Sequence, residues 1–305
     1  MEVLSEMDKQ VRTNLLLILT ALIWGFAFVA QQVGMDYLGP FTFTSIRFFI
    51  GCIVLLPFIL LMDRRNQTQE KTSWKLLVIG GICCGLPLGA ATAVQQFALL
   101  TSPAGKVGFL TALYILFVPI LGIFLKKKIG IQVWISVLIA VAGMYLLCIN
   151  GSFSLKKGDA LAIVCSIIFA IQILFVDYYS PQISGLKLAC AEFLVAGIAN
   201  GILMLLFESP SKESIFSAAI PLLYTGVLSS GIAYTLQIIA QKDAQPSVAA
   251  LIMSLESVFS VIGAWLVLHQ TMSLQETLGC ILMFAAIVLA QLPMAQGAQD
   301  LQSNE

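Results

Sequence analysis

The sequence predicts an all-α membrane protein with ten transmembrane helices arranged as two inverted five-helix repeats. Three observations lead there. Of the 305 residues, 59% are hydrophobic and only 10% charged, which leaves too few polar groups to coat a water-soluble globule. The apolar residues fall into ten runs, each long enough to cross a bilayer. Features of the first half recur, in order, about 145 residues later.

A hydrocarbon core about 30 Å thick takes roughly 20 apolar helical residues to cross. The first run, 14–34, follows Glu2, Glu6, Asp8, Lys9 and Arg12, and it is too long for a signal-peptide core, so it is expected to remain as the first span. The second, 41–62, ends at Arg64-Arg65, and the third, 75–99, opens at Lys75. The fourth, 103–125, ends at Lys126-Lys127-Lys128, and the fifth, 131–149, follows that cluster. The sixth, 159–178, comes after Lys156-Lys157, while the seventh, 186–207, has Lys187 at its head. The eighth, 216–240, lies between Lys212 and Lys242. The ninth and tenth are 247–268 and 274–293, followed by a polar tail.

Lysine and arginine accumulate on the cytoplasmic side of membrane proteins. With the N-terminus inside, the inner segments hold eleven such residues: Lys9, Arg12, Arg64, Arg65, Lys71, Lys75, Lys126, Lys127, Lys128, Lys187 and Lys242. The outer loops hold three, Lys156, Lys157 and Lys212, so both termini are expected in the cytoplasm of a multi-pass protein of the cytoplasmic membrane.

An offset of about 145 lays Asn14–Val33 on Asp159–Tyr178, and Arg47-Phe48-Phe49 on Glu192-Phe193-Leu194. An offset of 143 lays Ser102-Pro103-Ala104 on Gln245-Pro246-Ser247, each heading the fourth helix of its half. Because five helices per half is an odd number, the second repeat must be inverted, the arrangement that serves alternating access in secondary transporters. Duplication without transport is the plain alternative.

Trp24-Gly25-Phe26-Ala27-Phe28 in the first helix, Ser45-Ile46-Arg47-Phe48 in the second, and Leu255-Glu256-Ser257-Val258-Phe259 with Gly263-Ala264-Trp265 in the ninth resemble EamA-type members of the drug/metabolite transporter superfamily. The resemblance implies a first EamA-like repeat at 12–149, a second at 159–293 and a polar tail at 294–305. It further implies a central cavity enclosed by helices 1–4 and 6–9, with helices 5 and 10 peripheral and available for homodimer contacts. Export of small metabolites, amino acids or toxic compounds is implied more often than uptake. One departure is His269-Gln270, where such proteins often carry a glutamate, and no coupling role is carried onto that position.

Arg47, Lys106, Glu192 and Glu256 are read as the charges within the spans, and a charge at that depth must face a cavity or a partner. Lys106, one turn below the outer surface, is expected to snorkel to water rather than contact substrate. Glu256 is ten residues into the ninth helix, near mid-membrane, where a carboxyl could take a proton from one side and release it to the other. Its plain alternative is a buried structural acid. Arg47, nearest to it in depth, either pairs with it or holds a substrate carboxylate in its bidentate fork. Since the inverted symmetry sends Arg47 and Glu192 to opposite leaflets, no salt bridge is expected between them.

Gln31, Gln32, Gln95, Gln96, Gln172 and Gln237 either join helices or bind ligand. Trp24, Tyr114, Tyr234 and Trp265 either stack on a substrate or pack. Gly81, Gly85 and Gly89, four apart, predict a close helix contact, and Gly226 with Ser230 repeats the spacing. Pro87 and Pro119 predict kinks.

Balanced charge gives no basis for a nucleic-acid partner, and the seven cysteines lack zinc-site spacing, so neither a metal nor a cofactor is expected. The motifs H-E-x-x-H, G-x-S-x-G and the glycine-lysine phosphate loop are absent, which argues against an enzyme or an ATP-driven pump. Mixed, asymmetric charges do not suit a channel. The expected function is secondary transport of an amino-acid-like compound or drug-like amphiphile by alternating access, with export as the expected direction and protons as the candidate coupling ion. An importer or facilitator of the same fold, and a non-transporting membrane scaffold, are the alternatives.

Overall fold

In the computed structural model the described residues, 2–65, 73–127, 129–148, 156–268 and 273–292, are helices joined by short turns. The elements are α1 (Glu2–Gly34), α2 (Pro40–Arg65), α3 (Trp74–Leu99), α4 (Ala104–Ala112), α5 (Tyr114–Phe124), α6 (Ile131–Cys148), α7 (Lys157–Tyr179) and α8 (Gly185–Phe207). A short α9 (Lys212–Ser217) precedes α10 (Ala219–Leu223), a π-helical segment (Tyr224–Tyr234) and α11 (Thr235–Gln241). The chain ends in α12 (Pro246–Met253), α13 (Glu256–Leu268) and α14 (Leu274–Gln291). Among the described residues seven helices are long and apolar enough to cross a membrane, and three shorter apolar helices cover 131–146, 246–262 and 277–291. The protein is thus an all-α membrane protein that crosses the bilayer several times.

The interruptions fall away from Pro87 and Pro119. α3 runs unbroken through Pro87, and α5 through Pro119. The fourth span is interrupted instead at Leu113, and the ninth at Ser254-Leu255, where bonds of the i to i+3 type, such as Leu255 N–H to Ile252 C=O, tighten the turn. A proline leaves one carbonyl without its donor, and a membrane helix tolerates this when its neighbours pack well.

The glycine stripe sits where two helices meet. A methyl group on Gly81 would stand 2.8 Å from Ala191 Cβ, and one on Gly85 2.6 Å from the Glu192 carbonyl oxygen, so α3 lies directly against α8. Gly226 takes the corresponding place against Ile50 of α2, with 2.7 Å to its Cβ. Between these contacts α2 and α8 pack together, with Phe48 and Phe193 stacked at 5.7 Å.

Two further sets of helices are tied by specific bonds. α7 is held to α3–α5: Asp159 receives Lys106 Nζ at 2.7 Å and Ser102 Oγ at 2.8 Å, Thr111 meets Cys165, and Lys127 pairs with Asp177. α1 is held to the π-helical segment and to α13: Thr20 donates to the Ala233 carbonyl at 3.2 Å, Tyr224 donates to Ile23, and a methyl on Gly25 would lie 2.6 Å from Phe259 Cβ. α6 and α14 pack on one another to one side. The polar tail 294–305, His269-Gln270, Lys71, Lys128 and the Trp265 side chain lie outside the described residues.

Candidate functional site

A cavity of about 30 Å³ opens where these sets meet, lined by Trp24, Phe28 and Gln31 from α1, Arg47 from α2, and Gln95 from α3. Thr111 and Tyr114 at the α4–α5 interruption, Phe169, Gln172 and Ile173 from α7, Ser229, Tyr234 and Gln237, and Glu256 complete it. No lining residue comes from α6 or α14. On this measure about 10–15 Å³ holds one water, so the cavity has room for two or three waters.

Local backbone explains how its polar groups point inward. Glu256 is the first residue of α13 and Tyr114 the first of α5, so each helix interruption delivers one polar side chain to the cavity wall. Across this interruption the Ser257 N–H still donates to the Ser254 carbonyl at 3.1 Å and the Phe259 N–H to the Leu255 carbonyl at 2.9 Å. The wider turns of the π-helical segment carry Ser229 and Tyr234.

Arg47 is 1% exposed, the largest side chain so deeply buried. Its guanidinium lies 5.0 Å from the Phe48 ring centre, and its Nη1 donates to Gln31 Oε1 at 2.7 Å. Gln96 Nε2 donates to the same oxygen at 2.7 Å. Glu256 is 3% exposed. Among the described residues the ion pairs all join lysine to aspartate, so Arg47 and Glu256 share a cavity without forming one. Arg47 Nε, Glu256 Oε1, Tyr114 Oη and Gln237 Oε1 are all buried without a hydrogen bond of good geometry, Tyr114 standing beside Glu256 and Tyr234 beside Arg47. Beside them Trp24 and Tyr234 form an aromatic wall with centroids 4.7 Å apart, and Trp24 Nε1 donates to the Ser229 carbonyl at 3.4 Å.

Of the residues singled out from sequence, Glu256, Arg47, Trp24, Gln31, Gln95, Tyr114, Gln172, Tyr234 and Gln237 line this cavity. Gln96, Glu192 and Lys106 do not. Glu192, fully buried, instead accepts from Gln172 Nε2 at 2.7 Å behind the wall. The ion pairs found among the described residues do not include Glu192 or Arg47. Lys106 does not simply snorkel: its ammonium is bound by Asp159, which is itself fully buried. The sequence reading of the spans missed Asp159 and also Asp177, partner of Lys127. Both stand inside the run 159–178, and each has a lysine available at the same membrane depth, a signal that was present. Phe28, Thr111, Phe169, Ile173 and Ser229 had no distinguishing signal.

A family model, the EamA-like transporter family, matches the chain twice, over residues 11–149 and 156–292. An uncharacterized transporter of Archaeoglobus fulgidus is 27% identical, the match covering 93% of this chain and 87% of that protein. The uncharacterized transporter YoaV of Bacillus subtilis is 24% identical, with 92% and 96% covered. A solved structure described only as "Crystal structure of protein" superposes with a TM-score of 0.75 at 19% identity, over 92% of this chain and 96% of that one, a likeness of fold. The chain belongs to the EamA-like transporter family and is a multi-pass membrane transporter.

Proposed function

We propose that the protein is a secondary transporter of an amino-acid-like zwitterion, working by alternating access in the cytoplasmic membrane. In this reading ten spans form two inverted five-helix repeats, 12–149 and 159–293, with both termini cytoplasmic. One observation carries the substrate class: a buried guanidinium and a buried carboxyl line one cavity, unpaired with each other, and each keeps an unbonded atom. A ligand bearing both a carboxylate and an ammonium satisfies both, and its side chain meets Trp24, Phe28, Phe169 and Tyr234. Ligand sites run to about 300 Å³ and more, so the contracted cavity must widen on one side to load. Glu256 also serves as the proton carrier, because it alternates between binding the substrate cation and binding a proton. The direction is export, driven by exchange with protons.

The aromatic wall favours a second substrate class, a flat drug-like amphiphile held mainly by stacking. The repeat reading draws support from matched contacts. Glu208, ending α8, receives the backbone N–H groups of Phe41 and Thr42 at the start of α2, at 3.0 and 2.8 Å. Asp63, ending α2, pairs with Lys187 at the start of α8 at 2.7 Å. The pairing of α6 with α14, away from the cavity, leaves these helices free to serve a homodimer.

Counterflow in proteoliposomes tests the function. Vesicles preloaded with unlabelled amino acids should take up labelled amino acid, saturably, and an imposed proton gradient should drive accumulation. Transport of cationic dyes with no amino-acid flux would favour the amphiphile. Absence of any flux would favour a scaffold.

A further inference from the structure

Four hydrogen bonds made by glutamine side chains cross from the set α3–α5 with α7 to the set made by α1 and the π-helical segment through α13. Gln96 donates to Gln31 at 2.7 Å, and the Ala104 backbone N–H donates to Gln32 Oε1 at 3.0 Å, both at the ends of α1 and α3 near the 100–103 turn. Gln237 Nε2 donates to Gln172 at 3.3 Å, and Gln241 Nε2 to the Ile173 carbonyl at 3.2 Å, toward the opposite end. The cavity lies between the two clusters. The same 65-residue spacing separates Gln31 from Gln96 and Gln172 from Gln237. Each central amide is aimed by a buried charge on a third helix: Arg47 of α2 donates to Gln31, and Glu192 of α8 accepts from Gln172.

We propose that Gln31, with Gln32 and Gln96, is the outer gate and that Gln172, with Gln237 and Gln241, is the inner gate, Arg47 and Glu192 being positioning residues that hold the two central amides. The assignment of sides rests on the transport and orientation reading above. The chemistry suits the task. Ion pairs such as Lys106–Asp159 and Lys127–Asp177 hold α7 to its own set, where no separation is needed. Across the moving boundary the bonds are neutral amide contacts, which exchange for water at small cost when the sets part. Gln96 Oε1 and Gln237 Oε1 carry no bond, so both clusters hold a spare acceptor for a changed partner. Glu192 therefore acts on gating without touching substrate, and Arg47 links the outer gate to the cavity it lines.

Side-specific labelling tests this. In a background with the seven cysteines replaced, Ser229→Cys, buried in the cavity wall, reports access to an impermeant thiol reagent from the outside in intact cells or from the inside in inverted vesicles. Gln31→Leu should raise the outside rate at least tenfold and leave the inside rate within twofold. Gln172→Leu should do the reverse, and Gln241→Leu, at the rim of the cluster, provides the same readout should Gln172→Leu fail to fold. Glu192→Leu should mimic Gln172→Leu, whereas Glu192→Gln, which keeps an acceptor, should stay near the parent. Unchanged rates in folded variants, or equal rises on both faces, would overturn the gates. Labelling needs no substrate, so absent counterflow would count against the transport reading alone. A Lys212→Cys control that reacts only from inside would reverse the orientation, and the two gates would exchange names.

Discussion

Replacing Gly85 by alanine isolates the contact between α3 and α8. The new methyl would stand 2.6 Å from the Glu192 carbonyl oxygen, 2.8 Å from Val195 Cβ and 3.1 Å from Val195 Cγ1. A carbon–oxygen contact relaxes only at about 3.3 Å, so the two helices must part by roughly 0.7 Å. The carbonyl is backbone and cannot rotate away, and the neighbouring contacts of Gly81 with Ala191 and of Gly89 with Asn200 would loosen together. Overpacking of this kind costs about 1–3 kcal/mol, set against about 0.5–1 kcal/mol gained from replacing a helical glycine. A net loss of about 1–2 kcal/mol changes the folded-to-unfolded ratio by roughly 5–30-fold. Unfolding of the purified protein by titration from mild detergent into SDS should show that shift, with Gly85→Leu worse and poorly expressed. Gly105→Ala is the control, because a methyl there meets nothing within 4 Å. A Gly85→Ala protein as stable as the parent, or a Gly105→Ala protein equally weakened, would refute the reasoning.

Glu256→Gln keeps the shape but cannot titrate or pair with an ammonium, so proton-driven accumulation should vanish while downhill exchange persists with weaker substrate binding; unchanged accumulation would remove Glu256 from coupling. Arg47→Gln should weaken binding of carboxylate-bearing substrates at least tenfold, and because Arg47 and Glu256 form no ion pair the double variant should fold no worse than the two single variants together, whereas recovered folding in the double variant would reveal a structural pair. Asp159→Ala removes the acceptor of Lys106, Ser102 and the Lys156 N–H and should cost about 1–3 kcal/mol in the same SDS titration, with Asp159→Asn costing less; equal stability would mean these bonds contribute nothing. A cysteine at Ser73 should be shielded from an impermeant reagent in intact cells and one at Lys212 labelled; the opposite pattern would invert the topology.

The long apolar runs were plain in the sequence because lipid imposes one requirement on every span, and composition alone reports it. Gly81, Gly85 and Gly89 were legible for a related reason: only a small residue permits that approach, so spacing foretold contact, although not that the partner is α8. Glu256 stood out because an acid at that depth has few explanations. The helix interruptions at Leu113 and Ser254-Leu255 were not legible, since no residue there forbids a straight helix and the tighter turns arise from packing. The π-helical segment left no mark for the same reason. Glutamine was the ambiguous type. Gln95 faces the cavity and its neighbour Gln96 bonds Gln31, and nothing short of the assembled bundle separates two adjacent amides into different tasks.

A sequence offset of 145 lays Arg47 on Glu192, and the two carry opposite charge. An assembly of two first halves would bury two guanidiniums, each on the Gln31 oxygen of its own half, and an assembly of two second halves would bury four carboxyls, Glu192 and Glu256 from each. Only one of each brings the buried guanidinium of Arg47 together with the buried carboxyls of Glu192 and Glu256. The halves are therefore complementary rather than interchangeable, and when produced as separate chains, cut between residues 149 and 156, they should recover a working protein only when both are present, in equal numbers.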